Sequence, residues 1–111
     1  MVFLLYDLAA ALIQGRLKRH REHLLSTLEC QYGLLDELYS RCLLSDQQLE
    51  SIKRKKDMYK QNSALLQVLD EMDMSDLNEF FSALKATCQS HLVTYIINNG
   101  RMYNTILLAC I

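Results

Sequence analysis

Almost nothing in this chain can interrupt a helix, because its 111 residues include no proline and three glycines. Between Arg16 and Ile97 the apolar residues recur at intervals of three, four and seven, which is the spacing of one helix face. No segment shows the strict alternation that is typical of a strand. The sequence therefore predicts an all-α domain, in which six short helices form an antiparallel bundle.

The two ends of the chain are apolar and are treated apart from the domain. We expect an N-terminal extension at 1–13, a helical domain at 14–98 and a C-terminal tail at 99–111. Val2–Ile13 is too short to span a bilayer and lacks the basic start of a signal peptide, so we interpret it as a lead-in helix. For the apolar tail three explanations stay open: packing on the lead-in, contact with a partner, or truncation of a longer product.

Start and stop signals place the helices at about 16–29, 32–42, from 46, 59–72, 75–88 and 90–97. Ser45 and Gln48 form an S-x-x-Q capping box, and Ser75 and Ser90 are expected to cap the fifth and sixth helices. Asn98-Asn99-Gly100 is a stop signal. The predicted core residues lie on the apolar faces, and they are Leu25, Leu28, Leu35, Leu38, Ile52, Leu66, Leu69, Phe81, Leu84, Leu92 and Ile96.

The four cysteines, Cys30, Cys42, Cys88 and Cys110, are widely spaced and form no C-x-x-C pair. The first three stand at or near the ends of apolar stripes. We therefore expect buried free thiols in a reducing compartment, which indicates a cytoplasmic or nuclear protein. Disulfides in a secreted domain are the alternative.

Charged residues fall into blocks: a basic first helix, a basic run at Lys53–Lys56 and an acidic stretch at 70–79. The net charge of −1 provides no overall basic excess for nucleic acid, so nucleic acid is not an expected partner. No membrane partner is expected either, since Val2–Ile13 is too short to span a bilayer. Lys53–Lys56 is interpreted as a solvated loop or helix end. Anionic lipid, nucleic acid and a nuclear localisation signal are its alternative uses.

Several segments resemble the caspase-recruitment domain (CARD), a branch of the death-fold superfamily. Arg19–Leu25 resembles the basic first helix of this family, and Leu34–Leu38 resembles its second. Asn62–Leu69 and Phe80–Thr87, with His91-Leu92, are similar to helices four to six in initiator caspases and their adaptors. Asp70–Met74 replaces the small or glycine turn that this family has before helix five. The Arg-x-Asp-Leu-Leu signature of the rival death-effector domains is absent.

The resemblance implies a Greek-key death fold that binds another CARD protein, either a caspase or an adaptor, and that also self-associates. It implies a role in apoptotic or inflammatory caspase activation, as an adaptor, an isolated prodomain or a CARD-only decoy. In this family a basic patch on helices one and four docks on an acidic patch on helices two and three. The corresponding residues here are Arg16, Lys18, Arg19, Arg21 and Lys60 on the basic side, and Asp36, Glu37, Asp46 and Glu50 on the acidic side.

One competing hypothesis is a small metal-binding or thiol-dependent protein. His20-x-x-His23 places two imidazoles on one helix face, and Cys88-x-x-His91 places a thiol near another. No third group that would orient a Cys–His pair is apparent, and no oxyanion donor is either. We therefore expect neither an enzyme nor a bound metal or cofactor.

Overall fold

A computed structural model of the protein describes residues 2–99, and within this range the side chains of 8–31 and 33–99. Every regular element of the described range is helical, but there are seven α-helices and one π-helical turn instead of the six predicted helices. The predicted C-terminal tail lies outside the described residues except for Asn99. The elements are α1 (Val2–Arg19), α2 (Arg21–Thr27), the π-helical turn (Cys30–Leu34), α3 (Leu35–Ser40), α4 (Asp46–Lys53), α5 (Met58–Leu69), α6 (Met74–Ala86) and α7 (Ser90–Ile97).

The predicted first helix is divided at His20, and its N-terminal part is continuous with the lead-in. His20 has φ −105° and ψ 24°, outside the α-helical region, and its Nε2 atom lies 2.9 Å from Oδ1 of Asn99, beyond α7. The division occupies a single residue, so the apolar stripe still faces the core on both sides of it. The buried residues of this stripe are Leu17, Leu24, Leu25 and Leu28.

The predicted second helix begins as a π-helical turn. The N–H of Leu35 donates to the carbonyl oxygen of Cys30, five residues earlier, which is the hydrogen bond of a π-helix. Gly33 has φ +98°, a left-handed value that disfavours any residue with a Cβ atom. The wider turn lets Cys30, Leu34 and Leu35 all point into the core, where each is at most 4% exposed.

The capping box before α4 is confirmed, whereas two other predicted caps are wrong. Ser45 accepts from the N–H of Gln48, and the Gln48 side chain accepts from the N–H of Ser45. Asp73, and not Ser75, caps α6, since its Oδ1 accepts from the N–H of Asp76 at 2.8 Å. Ser90 is the first residue of α7, and Gln89 in the cap position makes no capping bond.

Two cysteines that were expected to be buried are exposed, because each ends a helix in the left-handed conformation. Cys42 has φ 62° and Cys88 has φ 65°. After α6 the N–H of Gln89 donates to the carbonyl oxygen of Leu84 at 2.7 Å, which is the Schellman pattern, and the same pattern follows α3. The three cysteines of the described range are free thiols, and Cys30 is the buried one.

The core lies between α5 and α6 and the helices that pack on them. Helix α5 contacts α2, α4 and the π-helical turn, while α6 contacts α1, α3 and α7. Every residue that the sequence placed in the core is buried, and the largest fully buried side chain is that of Phe80. Residues far apart in sequence are thereby held in fixed relative positions on the outside of the bundle.

Two buried amide side chains hold the link between α2 and the π-helical turn. Asn62, 1% exposed, donates from Nδ2 to the carbonyl oxygens of Leu25 and Leu28 at 3.0 and 2.7 Å. Gln89, also 1% exposed, accepts from the N–H of Glu29 at 2.9 Å and donates to the carbonyl oxygen of the same residue at 3.2 Å. Together they supply the partners that a non-helical backbone segment needs when it is buried.

Candidate protein-interaction faces

The predicted basic residues come from the end of α1, from α2 and from α5. Lys18, Arg19 and Lys60 are exposed, whereas Arg21 is half-buried. The Nη2 atom of Arg21 donates to Oγ of Ser63 on α5 at 2.8 Å, and Ser63 lies one turn after Lys60. Arg21 and Lys60 therefore belong to two helices that pack against each other, and we name these four residues the basic face.

Arg16, which the sequence assigned to the same face, is engaged inside the molecule. Its Nη1 atom donates to the carbonyl oxygen of Ile97 at 2.7 Å and lies 3.4 Å from that of Ile96. These carbonyls belong to the last turn of α7, where the helix dipole is negative. The Arg16 guanidinium thus caps α7, and we do not include it in the basic face.

The predicted acidic residues lie on α3 and α4, two helices that contact each other. Asp36 and Glu37 stand in the first turn of α3, and Asp46 is the first residue of α4. Glu50 follows Asp46 by four residues, on the same side of α4. Glu37 is half-buried and the other three are exposed, so we name this set the acidic face.

Each carboxylate of the acidic face has a partner within the molecule. The partners are Lys53 for Asp36, Arg41 for Glu37, Arg54 for Glu50 and the hydroxyl of Tyr39 for Asp46. The hydrogen bond to Asp46 also raises the pKa of Tyr39, because it holds the proton on the phenol. The pairs of Asp36 and Glu50 are exposed, and exposed ion pairs contribute little to stability.

Arg41 joins the acidic face to α6. Its guanidinium lies 2.8 Å from Glu79 Oε2 on α6 and 3.1 Å from Glu37 Oε1 on α3. The two carboxylates, Glu79 foremost, raise the pKa of Arg41. The ion pair between Glu37 and Arg41 could have been predicted from the sequence, because residues four apart on a helix are neighbours. The pairing with Glu79, 38 residues away, depends on how α3 and α6 pack.

The residues of the metal or thiol hypothesis have other roles in the structure. The His23 ring stacks on Tyr95 of α7 at a centroid distance of 3.9 Å and 12° between planes, and His20 meets the same ring edge-on at 5.2 Å. Cys88 and His91 are exposed at the junction of α6 and α7. Among the side chains of 8–31 and 33–99, no three of His, Cys, Asp or Glu form a cluster suited to a metal ion. His20 and His23 therefore join α1 and α2 to α7. Nothing in the described residues supports the metal hypothesis.

Comparison with known proteins gives one match. A family model described as the caspase recruitment domain matches residues 14–99. The matched range starts within α1 and ends just after α7, so it includes both charged faces, while the first turns of α1 lie before it. No curated protein matches the chain, and no solved structure does.

Proposed function

The chain belongs to the caspase recruitment domain family, and from this we propose that it assembles with other CARDs by docking its basic face on the acidic face of a neighbour. The family is one of homotypic protein-interaction modules, so a partner of the same fold is expected. The observation that carries the proposal is the placement of opposite charges on different helices. Lys18 and Arg19 are exposed at the end of α1, and Asp36 and Glu50 are exposed on α3 and α4.

Because the two faces differ, a contact between them is heterologous. After one molecule has docked its basic face on the acidic face of a neighbour, the pair still has one unused acidic face and one unused basic face, so the contact extends instead of closing on itself unless the rotation completes a ring. Opposed charged surfaces also guide the encounter and set the relative orientation of the molecules, more than they add to affinity.

The internal ion pairs of the acidic face are compatible with this docking. The Lys53 and Asp36 side chains are 50% and 73% exposed, and they are 3.0 Å apart. A pair this exposed contributes about 0–1 kcal/mol. An arginine from a neighbour that binds a carboxylate through two parallel hydrogen bonds has the stronger geometry, so the exchange of partners is favourable.

We test the proposal with variants that neutralise each face without reversing its charge. Lys18→Gln with Arg19→Gln, and Asp36→Asn with Glu50→Gln, should each reduce self-association or binding of a partner CARD. The measurement is size-exclusion chromatography with light scattering. Lys85→Gln, an exposed change on α6 outside both faces, is the matched control and should have no effect.

Mixing the two neutralised variants provides a stricter test. Each retains one intact face, so they should form a one-to-one pair that cannot grow, whereas the unchanged protein forms larger species. Assembly should also weaken as salt is added, since exposed charges are screened beyond about 8 Å at physiological ionic strength. Unchanged assembly in both variants and at high salt would eliminate the electrostatic docking.

The biological role that we propose is the regulation of apoptotic or inflammatory caspase activation from the cytoplasm. With both faces active the chain extends an assembly and acts as an adaptor or prodomain, whereas with one active face it terminates the assembly and acts as a decoy. Adding a small amount of the protein to a polymerising partner CARD separates these roles. Faster growth indicates an adaptor, and shorter polymers indicate a decoy.

A further inference from the structure

Helix α1 is apolar on two opposite sides. Its inner side packs on the core through Ile13 and Leu17, which are 8% and 2% exposed. Its other side carries Leu8 and Leu12, which are 60% and 56% exposed. We name the exposed side the outer face of α1, and it consists of Leu8, Ala11, Leu12, Gly15, Lys18 and Arg19. A helix with two apolar sides is typical of one that is covered on both, so the outer face is a surface that needs a partner.

The outer face changes from apolar to basic along the helix. With 3.6 residues per turn, its six residues lie within a sector of about 120°. Leu8 and Leu12 precede Lys18 and Arg19 by six to eleven residues, which is roughly 9–16 Å at the helical rise. The sequence of α1 has Asp7 as its single acid, against Arg16, Lys18 and Arg19 as bases.

We propose that the outer face of α1 lies on an anionic membrane surface. Leu8 and Leu12 would enter the boundary between headgroups and acyl chains, and the ammonium of Lys18 and the guanidinium of Arg19 would contact lipid phosphates. None of the helices in the described range has the length and hydropathy to cross a bilayer, and a surface-lying helix needs neither. The sequence-based expectation of no membrane contact rested on the short length of Val2–Ile13, which bears on spanning a bilayer and not on lying at its surface.

Charge complementarity favours a lipid surface over two other occupants. A second copy that paired through the same outer face would bring no acidic residue to Lys18 and Arg19. Residues 100–111 are apolar enough to cover the leucines, but they include Arg101 and no acidic side chain. An anionic bilayer supplies both an apolar layer for the leucines and phosphates for the cations.

The chain contains no tryptophan, so one introduced indole reports on its own position. Leu12→Trp in the full chain should show blue-shifted emission with phosphatidylcholine vesicles that contain phosphatidylserine, and brominated lipids should quench it. Tyr59→Trp, at an exposed site on α5 that is 51% exposed, is the matched control and should show neither change. Absence of the shift and of quenching for Leu12→Trp would overturn the proposal.

Substitutions test separately how the leucines and the cations of the outer face contribute to vesicle binding. Leu8→Ser with Leu12→Ser should abolish vesicle co-sedimentation, while Tyr39→Ser with Tyr59→Ser, which removes two other exposed apolar side chains, should not. Lys18→Gln with Arg19→Gln should weaken binding by more than about tenfold, since each surface cation contributes about fivefold. Equal binding to vesicles of phosphatidylcholine alone would contradict the role of the cations.

The same variants separate this proposal from CARD assembly. The two leucine substitutions leave the basic and acidic faces intact, so CARD assembly should persist when vesicle binding is lost. A blue shift of Leu12→Trp that appears without vesicles and grows with protein concentration would identify a second copy as the occupant, and would overturn the lipid assignment.

Discussion

The Nδ2 atom of Asn62 lies 2.7 Å from the carbonyl oxygen of Leu28 and joins the middle of α5 to the link that follows α2. The same amide donates to Leu25, and its oxygen accepts from the thiol of Cys30 at 2.8 Å. One side chain thus satisfies three buried polar groups. The link between α2 and the π-helical turn is therefore held by specific hydrogen bonds as well as by apolar packing.

Replacing Asn62 with alanine should lower the free energy of unfolding by about 2–4 kcal/mol, because buried carbonyl oxygens lose their donors. Asn78→Ala, an exposed change on α6, is the control and should shift stability by less than about 0.5 kcal/mol. Urea denaturation followed by circular dichroism measures both. Similar losses in the two variants would contradict the structural role of the buried amide.

Cys30 should make the stability of the protein depend on alkaline pH. Burial raises the pKa of its thiol from 9.0 to about 12, so the folded protein keeps a proton that the unfolded chain releases in this range. The contribution of Cys30 to stability is therefore constant below about pH 9 and falls as the pH rises towards 12, by at most about 1.4 kcal/mol per pH unit. The urea midpoint of Cys30→Ala should fall less steeply with pH over this range than that of the unchanged protein, because the variant lacks this thiol. Tyrosines and lysines titrate alike in both proteins, so the difference between the two curves is the contribution of Cys30. Parallel curves of urea midpoint against pH for the two proteins would refute the assignment of this pH dependence to Cys30.

Glycine at the two left-handed cysteines should stabilise the fold. Cys42 and Cys88 have positive φ, a conformation that costs about 1–2 kcal/mol for a residue with a Cβ atom and little for glycine. Cys88→Gly and Cys42→Gly should each raise the free energy of unfolding by roughly 0.5–1 kcal/mol, once the greater entropy of the unfolded glycine is included. Thermal unfolding measures this gain, and Cys88→Ala, which keeps a Cβ atom, should not produce it.

Asp73→Ala should destabilise α6, whereas Ser75→Ala should not. Asp73 accepts a hydrogen bond from the first turn, and loss of such a cap costs about 1 kcal/mol. Ser75 lies inside the helix and is exposed, so alanine there is neutral or mildly favourable by helix propensity. Comparison of the two melting temperatures decides which residue is the cap, and the reverse order would restore the sequence-based assignment to Ser75.

Helix periodicity predicted most of this fold, and the departures from it have physical causes. The division at His20 leaves the apolar stripe in phase, so periodicity cannot reveal it. The Cys30 thiol at the start of the π-helical turn donates to Asn62, 32 residues later on α5, and no local pattern reveals such a contact. The sequence placed helix ends at Cys42 and Cys88 but counted both residues as buried, because nothing in a local pattern marks a cysteine that takes the left-handed conformation and is thereby exposed.

The charged faces were predicted from the helical wheel, but the partners of their residues were not. Arg16 and Lys18 are two positions apart on a basic helix, yet Arg16 is directed at the end of α7 because that helix packs on α1. The residue that pairs with Asp36 is 17 positions away on α4. Such pairings depend on tertiary packing, which a single sequence does not encode in a local pattern.

The ion pair between Lys53 and Asp36 gives the acidic face a built-in competitor. Any cation that binds Asp36 must first displace an ammonium that is tethered to the same molecule, at an effective concentration that no change in dilution alters. In the docking proposed above, Lys53 would thus weaken the binding of every cation at Asp36 by a modest factor, since a pair this exposed contributes about 0–1 kcal/mol. On that proposal, part of the discrimination between partners would reside in a residue that no partner needs to touch.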